Sequence, residues 1–134
     1  MRGQKLFTRP IDSSDFEEVQ RFLGSQERAA AVPACGLLGK LVGELVAVAG
    51  MSITADAIEI DGIVVARELR RKRIGRVMVD EIERIAAKMD RARLVVNDAA
   101  DADEFFRRVG FEREGARWIR QVRFRSRDAE HVSR

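Results

Sequence analysis

Residues 58–79 read IEIDGIVVARELRRKRIGRVMV, and the fold of the chain is inferred outward from this stretch. It opens with a run of β-branched residues, which predicts a buried strand. Between positions 67 and 76 a short loop carries six Arg or Lys residues against one acid, Glu68, and a helix then begins near Gly75. The N–H groups and the dipole at the start of a helix attract anions. The stretch therefore predicts an anion site suited to a phosphorylated cofactor.

Length and composition indicate one soluble domain. The 134 residues, 46% hydrophobic and 35% charged, are enough to bury a core, and the whole chain (1–134) is interpreted as a single domain with residues 125–134 as a flexible tail. No apolar run approaches the roughly 18 residues that cross a bilayer, and the N-terminus lacks the apolar centre of a signal peptide. The single cysteine, Cys35, is expected to be a small buried residue. A cytoplasmic location without a membrane partner is predicted.

Hydrophobic spacing predicts the order strand, helix, three strands, helix, strand, helix, strand. A capping-box pattern of Ser14 and Glu17 predicts the start of the first helix, and apolar residues at helical spacing predict the second over residues 74–89. The second and third strands form a hairpin that turns at Gly39-Lys40. This order predicts an α/β fold with a mixed sheet and helices on both faces. Six strands are predicted, over residues 5–11, 34–38, 41–53, 57–66, 93–97 and 116–124.

This order, together with several short motifs, resembles the GNAT superfamily of acyl-CoA-dependent N-acyltransferases. The family signature Gln/Arg-x-x-Gly-x-Gly/Ala lies between the fourth strand and the next helix, where this chain has RRKRIG at residues 70–75, with Gly75 matching and Arg73 in place of a glycine. Arg9-Pro10 is similar to the family's opening, and FFRRVGF at residues 105–111 is similar to its F-Y/F-x-x-x-G-F helix end. The resemblance implies a small GNAT-like domain. Its central sheet would be mostly antiparallel, with about six strands, helices on both faces and a splay between the fourth and fifth strands.

The resemblance also implies that acetyl-CoA is the co-substrate. Its pantetheine arm would pair with the backbone of Ile63 and Val65 in the splay, close to Phe106. Asn97 either donates a hydrogen bond to the pantetheine amide or caps a turn. Arg73 is tolerated where the loop does not require a positive φ, and its guanidinium can bind a phosphate. The residues that would hold the pyrophosphate are Arg70, Arg71, Lys72, Arg73, Ile74, Gly75 and Arg76.

The implied chemistry is transfer of an acetyl group to a primary amine of a small molecule or a peptide. In the family, a backbone amide of the fourth strand, here that of Val65, polarises the thioester carbonyl, and a carboxylate on that strand acts as base. Glu59 and Asp61 are the candidates for base or amine recognition. Strand alternation places them on one face together with Ile63 and Val65; the alternative is that they are strand-end acids paired with arginines.

The general acid of the family has no counterpart in this chain. Phe106 occupies the position of the usual tyrosine, and the sequence contains no tyrosine. Departure of the thiolate would therefore depend on water, on another donor or on the thiolate itself.

Two other functions are weighed against catalysis. A non-catalytic acetyl-CoA sensor that acts through a partner protein is suggested by the missing tyrosine and the single glycine of the loop. A nucleic-acid-binding module is suggested by the eight arginines between positions 107 and 127. Because no aromatic-lined surface accompanies them, nucleic acid is not the predicted partner. No metal site is predicted, since no Cys, His and carboxylate cluster has metal-ligand spacing. The resemblance also allows a homodimer.

Overall fold

The computed structural model of the protein describes residues 5–26, 31–70, 73–97, 99 and 102–124, so the predicted tail at 125–134 lies outside the described residues. These ranges form one seven-stranded sheet flanked by helices. The helices are α1 (Phe16–Ser25), α2 (Ile74–Lys88) and α3 (Asp103–Arg108), with 3-10 turns at Ser13–Asp15 and Arg67–Leu69. The strands are β1 (Phe7–Pro10), β2 (Gly36–Leu41), β3 (Glu44–Ile53), β4 (Ala57–Val65), β5 (Arg93–Val96), β6 (Glu112–Glu114) and β7 (Arg117–Gln121).

The sheet has the order β1-β2-β3-β4-β5-β7-β6. Every neighbouring pair is antiparallel except β4 and β5, which run parallel. This confirms the predicted α/β fold with a mostly antiparallel sheet. The strand beyond the predicted six is β6, which contains three exposed residues at the sheet edge. A short, fully exposed strand has no apolar alternation, so the hydrophobic pattern did not indicate it.

The predicted hairpin turn at Gly39-Lys40 is wrong. β2 continues to Leu41, and the chain turns at Val42 and Gly43, which have φ values of 51° and 81°. Two consecutive residues with positive φ are typical of the type I′ turn, whose twist matches that of the flanking strands. Gly39 lies within β2 instead, where a Cβ atom would approach the Met78 sulfur to 3.2 Å.

Helices α1 and α2 cover opposite faces of the sheet. Gly39 and Lys40 are consecutive in β2 and therefore point to opposite faces. Met78 of α2 packs over Gly39, whereas Lys40 forms an ion pair with Glu18 of α1 at 3.4 Å. The prediction of helices on both faces is thereby confirmed. The largest fully buried side chains of the main core are Val19, Leu37, Leu38, Ile58, Met78, Val79, Ile82 and Leu94. Val95 packs with Ala57 and Ile119 in a separate small cluster.

The start of the first helical segment is held by Asp12 and Asp15. The Asp12 carboxylate accepts a hydrogen bond from the Ser14 N–H, and the Asp15 carboxylate accepts one from the Asp12 N–H. This is a capping box two residues earlier than the predicted pair of Ser14 and Glu17, which is wrong. The Arg9 guanidinium also donates two hydrogen bonds to Asp15, at 2.8 and 2.7 Å, and joins β1 to α1.

We expect the free energy of unfolding to fall as the pH is lowered from about 4 to about 2, in part through Asp15. Hydrogen bonds from the Arg9 side chain and from the Asp12 N–H lower the pKa of Asp15 from 3.8 to about 2. A carboxyl group with a lowered pKa stabilises the fold above its unfolded pKa, and this contribution is lost as the pH falls through the folded pKa. Urea unfolding at a series of acidic pH values measures how steeply the free energy of unfolding depends on pH.

The slope should be shallower in Asp15→Asn, which cannot titrate, and in Arg9→Gln, which loses the guanidinium. An unchanged slope in both variants would contradict a role for this pair in acid stability.

Candidate active site

A β-bulge interrupts β4 at Asp61. The consecutive β3 residues Gly50 and Met51 pair with Gly62 and Ile60 of β4, so Asp61 is an additional residue in β4. Such a residue bends the strand and reverses the alternation of the side chains that follow it. The bulge therefore decides which predicted site residues lie together.

The prediction that Glu59 and Asp61 share a face with Ile63 and Val65 is wrong. Glu59 pairs with Ser52 of β3, whereas Ile63 pairs with Ala49, three residues before Ser52. Paired residues share a face and residues three apart in a strand do not, so the Glu59 and Ile63 side chains point to opposite faces. The two acids do stay together, because the Ser52 hydroxyl donates a hydrogen bond to Asp61 at 3.0 Å. Strict alternation fails here because it assumes a strand without a bulge.

The acids lie on the α1 side of the sheet. The side-chain amide of Asn97, at the end of β5, donates to the Glu59 carboxylate at 3.3 Å. Asp61 is exposed and Glu59 half-buried. Among the described residues, neither acid forms an ion pair with an arginine. Two carboxylates therefore lie close together on one face of the sheet.

Strands β4 and β5 separate just before the bulge. Their parallel pairing ends, among the described residues, at Glu59. Because the Ala66 N–H donates to the Val46 carbonyl, antiparallel alternation directs the N–H groups of Ile63 and Val65 away from β3, toward the side of β5. This is the predicted splay, and it presents a backbone edge with which an extended ligand can pair.

A groove of about 750 Å³ begins beside the end of β4 and follows the start of α2. It combines apolar side chains with four guanidinium groups, and none of its described lining residues is acidic. The groove is therefore positively charged with an apolar flank. Its lining residues are Val65, Leu69, Arg70, Arg73, Ile74, Gly75, Arg76, Phe105, Arg108 and Val109.

The predicted cofactor residues divide into three groups. Val65, Arg70, Arg73, Ile74, Gly75 and Arg76 line the groove. Ile63 and Asn97 lie at the splay, while Arg71 and Lys72 lie outside the described residues.

Phe106 lies beneath the groove and does not line it. Its side chain is 5% exposed and packs edge-on against Phe105 and Phe111. Phe105 lines the groove in its place, together with Arg108 three residues later. Sequence reasoning missed both, although residues three apart share one helix face.

The residue that precedes α2 has a strained backbone. Arg73, which precedes the helix, has φ 67° and ψ 11°, in the left-handed region that favours glycine. The condition under which an arginine is tolerated here, a loop without a positive φ, is therefore not met. Gly75 has a different role, because a Cβ atom there would lie 3.0 Å from the Phe105 ring. Its missing side chain lets α3 pack closely against α2.

Arg73→Gly should raise the free energy of unfolding by about 0.5–1 kcal/mol. Relief of the left-handed strain, worth about 1–2 kcal/mol, exceeds the added conformational entropy of glycine in the unfolded chain. Chemical denaturation measures the change.

Arg84→Gly is the matched control, because it makes the same replacement at an exposed position inside α2. It should lower stability by about 1 kcal/mol. A loss of stability in Arg73→Gly would contradict the proposed strain.

A buried ion network holds α2 in place. Arg120 of β7 is 8% exposed and donates to the Val109 carbonyl at 2.8 Å, to Asp80 at 3.1 Å and to Glu83. Burial raises the pKa of Glu83, but a hydrogen bond from the Arg123 N–H and the charge of Arg120 outweigh it and leave that pKa below its usual value. The network joins β7 to α2 and to the end of α3, two of the elements that line the groove.

Other site types find no support in the described ranges. No group of His, Cys, Asp and Glu residues there could hold a metal ion. No helix there is long and apolar enough to cross a membrane. Cys35 is exposed, and the prediction that it is buried is wrong. It lies in the bend before β2, where its carbonyl accepts a hydrogen bond from Met51 while its thiol reaches solvent.

The groove and the splay together fit a long, anionic, thioester-bearing ligand such as acetyl-CoA. Guanidinium groups and helix-start amides complement a pyrophosphate. At the end of the groove beside β4, Val65 and Leu69 supply apolar contact, and the β4 edge offers backbone hydrogen bonds. The chemistry of the lining residues thus matches the cofactor that the family resemblance implies.

Comparison with known proteins identifies the family. The family model described as Acetyltransferase (GNAT) family matches residues 5–111. No curated protein matches the sequence.

Three solved structures show the same fold. N-acetylglutamate synthase from Neisseria gonorrhoeae, complexed with coenzyme A and L-arginine, has a TM-score of 0.75 and 15% identity, covering 87% of this chain and 33% of its own. A GNAT family N-acetyltransferase from Escherichia coli in complex with CoA has a TM-score of 0.73 and 15% identity, covering 92% of this chain and 84% of its own. The ribosomal-protein-S18-alanine N-acetyltransferase from Escherichia coli has a TM-score of 0.71 and 14% identity, covering 88% of this chain and 94% of its own.

The present chain spans about a third of the N-acetylglutamate synthase chain, and at these identities the structural likeness shows the fold alone. The family match covers most of the chain, and the groove has the composition that a CoA thioester requires. The chain therefore belongs to the acetyltransferase (GNAT) family of acetyl-CoA-dependent acyltransferases.

Proposed function

We propose that this protein is an N-acetyltransferase that transfers the acetyl group of acetyl-CoA to a primary amine of a small molecule or a peptide. The observation that carries this proposal is the continuity between the positively charged groove and the splay. The groove reaches Val65, and from Val65 the β4 edge leads back toward the two acids. A ligand in this position would have its phosphates on α2 and its thioester beside the splay.

Arg70 supports this orientation. Its Nε donates to the Val65 carbonyl at 3.4 Å and thus joins the phosphate loop to the strand. In a β-strand the N–H and C=O of one residue point to the same side. The Val65 N–H therefore faces the ligand side as well, where it can donate to a thioester carbonyl oxygen and stabilise the negative charge that develops there.

The acids supply the second requirement of the reaction. An amine is a nucleophile only after its ammonium form has lost a proton. The Ile63 and Val65 amides lie in the plane of the sheet, so an acceptor can approach a thioester at this edge from the α1 side, where Glu59 and Asp61 lie. One carboxylate would take this proton, directly or through water. The nitrogen becomes positive again when it attacks the thioester, and the other carboxylate would stabilise that charge and accept the second proton that the nitrogen loses as the amide forms.

Acyl transfer then forms a bond between the amine nitrogen and the acetyl carbon and breaks the bond between that carbon and sulfur. The leaving thiolate receives its proton from water, because Phe106 has no proton to donate and its ring is buried. A thiol with a pKa of about 8.5 is a good leaving group without an acid. The missing tyrosine is therefore compatible with turnover.

The names of the structural neighbours support both acceptor classes. One is a synthase of N-acetylglutamate, whose product is a small molecule, and another is an N-acetyltransferase for an alanine of a ribosomal protein.

The proposal is tested by binding and turnover together. Calorimetry with acetyl-CoA should give a saturable isotherm, and thiol release should be observed with at least one member of a panel of amino acids, diamines, polyamines and short peptides. Glu59→Gln and Asp61→Asn should lower kcat/KM, while Glu17→Gln, an exposed acid at the start of α1, should not.

Each alternative has its own outcome. Absence of acetyl-CoA binding would refute the proposal. Binding without turnover on any amine, with a copurifying protein, would favour the non-catalytic sensor.

A further inference from the structure

The groove beside α2 continues past the first turn of the helix. A second groove of about 530 Å³ adjoins it and shares three of its lining residues, Arg76, Val109 and Arg108. Arg76 lies in the first turn of α2, and Arg108 is the last residue of α3. Two guanidinium groups from different helices thus lie where the grooves meet, beyond the loop that precedes α2.

Three arginines of the groove differ from most other described arginines in having no ion-pair partner among the described residues. Outside it, ion pairs join Arg9, Arg84, Arg93, Arg107, Arg113, Arg120 and Arg123 to carboxylates. Among the described residues, Arg73, Arg76 and Arg108 have no such partner. Three acids line the second groove, Asp80, Glu112 and Glu114. None of them forms an ion pair with Arg76 or Arg108 among the described residues, and Asp80 accepts a hydrogen bond from Arg120.

The positive charge exceeds what a pyrophosphate alone neutralises. A pyrophosphate diester carries two negative charges, whereas four guanidinium groups line the first groove. A phosphate monoester adds about 1.5–2 negative charges at neutral pH and three acceptor oxygens. One pyrophosphate and one monoester together therefore balance the four cations.

We propose that Arg76 and Arg108 form a second phosphate subsite, which binds a phosphate monoester separate from the pyrophosphate. In CoA this group is the 3′-phosphate of the ribose. The inference rests on the proposed function, since it assigns one more group of the same ligand. Arg73 and Arg70 then bind the pyrophosphate, while Arg76 and Arg108 select ligands that carry the 3′-phosphate.

The subsite predicts discrimination between acetyl-CoA and acetyl-3′-dephospho-CoA. Two charge-assisted hydrogen bonds to one phosphate correspond to at least about tenfold in Kd. Since both arginines are exposed, the ratio should shrink as salt is raised.

Calorimetry of both ligands with the wild type, Arg76→Gln, Arg108→Gln and the control Arg21→Gln tests the subsite. Arg21 is an exposed arginine of α1 without an ion-pair partner among the described residues, so its replacement matches the loss of charge. Arg76→Gln and Arg108→Gln should weaken acetyl-CoA binding about tenfold and leave the Kd of the dephospho ligand unchanged, which also shows that the variants are folded. Arg21→Gln should keep the wild-type ratio.

Equal wild-type Kd values for the two ligands would overturn the subsite while leaving the proposed function intact. So would equal weakening of both ligands in Arg76→Gln and Arg108→Gln. Failure of the wild type to bind either ligand would overturn the proposed function, and the subsite with it.

Discussion

Arg120→Met should lower the free energy of unfolding by about 3–5 kcal/mol, a large part of the roughly 5–15 kcal/mol that stabilises a typical domain. The substitution removes the guanidinium that binds Glu83, Asp80 and the Val109 carbonyl. Glu83 is 7% exposed and would be left as a buried charge without its main partner. Urea unfolding followed by circular dichroism measures the loss.

Arg84→Met is the matched control, because Arg84 follows Glu83 in α2 but pairs with Glu81 on the exposed surface. It should cost at most about 1 kcal/mol. Arg120→Met combined with Glu83→Leu should recover part of the stability, since the buried charge is then absent. A loss below about 1 kcal/mol for Arg120→Met alone would contradict the argument from burial.

Val65→Pro should lower kcat about 10²–10³-fold if the Val65 amide stabilises the oxyanion of the reaction. Proline removes the N–H that we propose points at the thioester carbonyl. This N–H is directed away from β3, so its loss removes no hydrogen bond between β3 and β4. The residue before a proline favours an extended backbone, which Val64 already adopts in β4.

Val65→Ala keeps the amide and removes only methyl groups, so its kcat should stay close to that of the wild type. Thermal unfolding and acetyl-CoA calorimetry establish that Val65→Pro is folded and still binds the co-substrate. Equal kcat values for the two variants would assign the oxyanion contact to another donor.

Local sequence patterns were sufficient for the order of the elements. The apolar spacing predicted a helix at 74–89, and α2 spans Ile74–Lys88. The basic loop before it predicted an anion site. Five of the seven residues predicted to hold the pyrophosphate line the groove, namely Arg70, Arg73, Ile74, Gly75 and Arg76. These predictions depend on residues that are close together in the chain, so they could be made from a single sequence.

Local sequence patterns could not predict features that depend on how separate helices and strands pack or pair. The bulge at Asp61 depends on how β3 and β4 pair, and it reversed the predicted face of Glu59 relative to Ile63. The left-handed backbone of Arg73 and the exposed Cys35 likewise depend on how neighbouring segments meet.

The sequence was sufficient to predict the family, its co-substrate and the basic stretch that lines the groove, because apolar period, charge and short motifs are local properties. The packing of α3 against α2 places Phe105 and Arg108, and not Phe106, in the groove, and the strand pairing places Glu59 and Asp61 on the α1 side of the sheet beside the splay. Helix packing and strand register place residues that are distant in the chain side by side, and a one-residue bulge is enough to reverse a whole strand face.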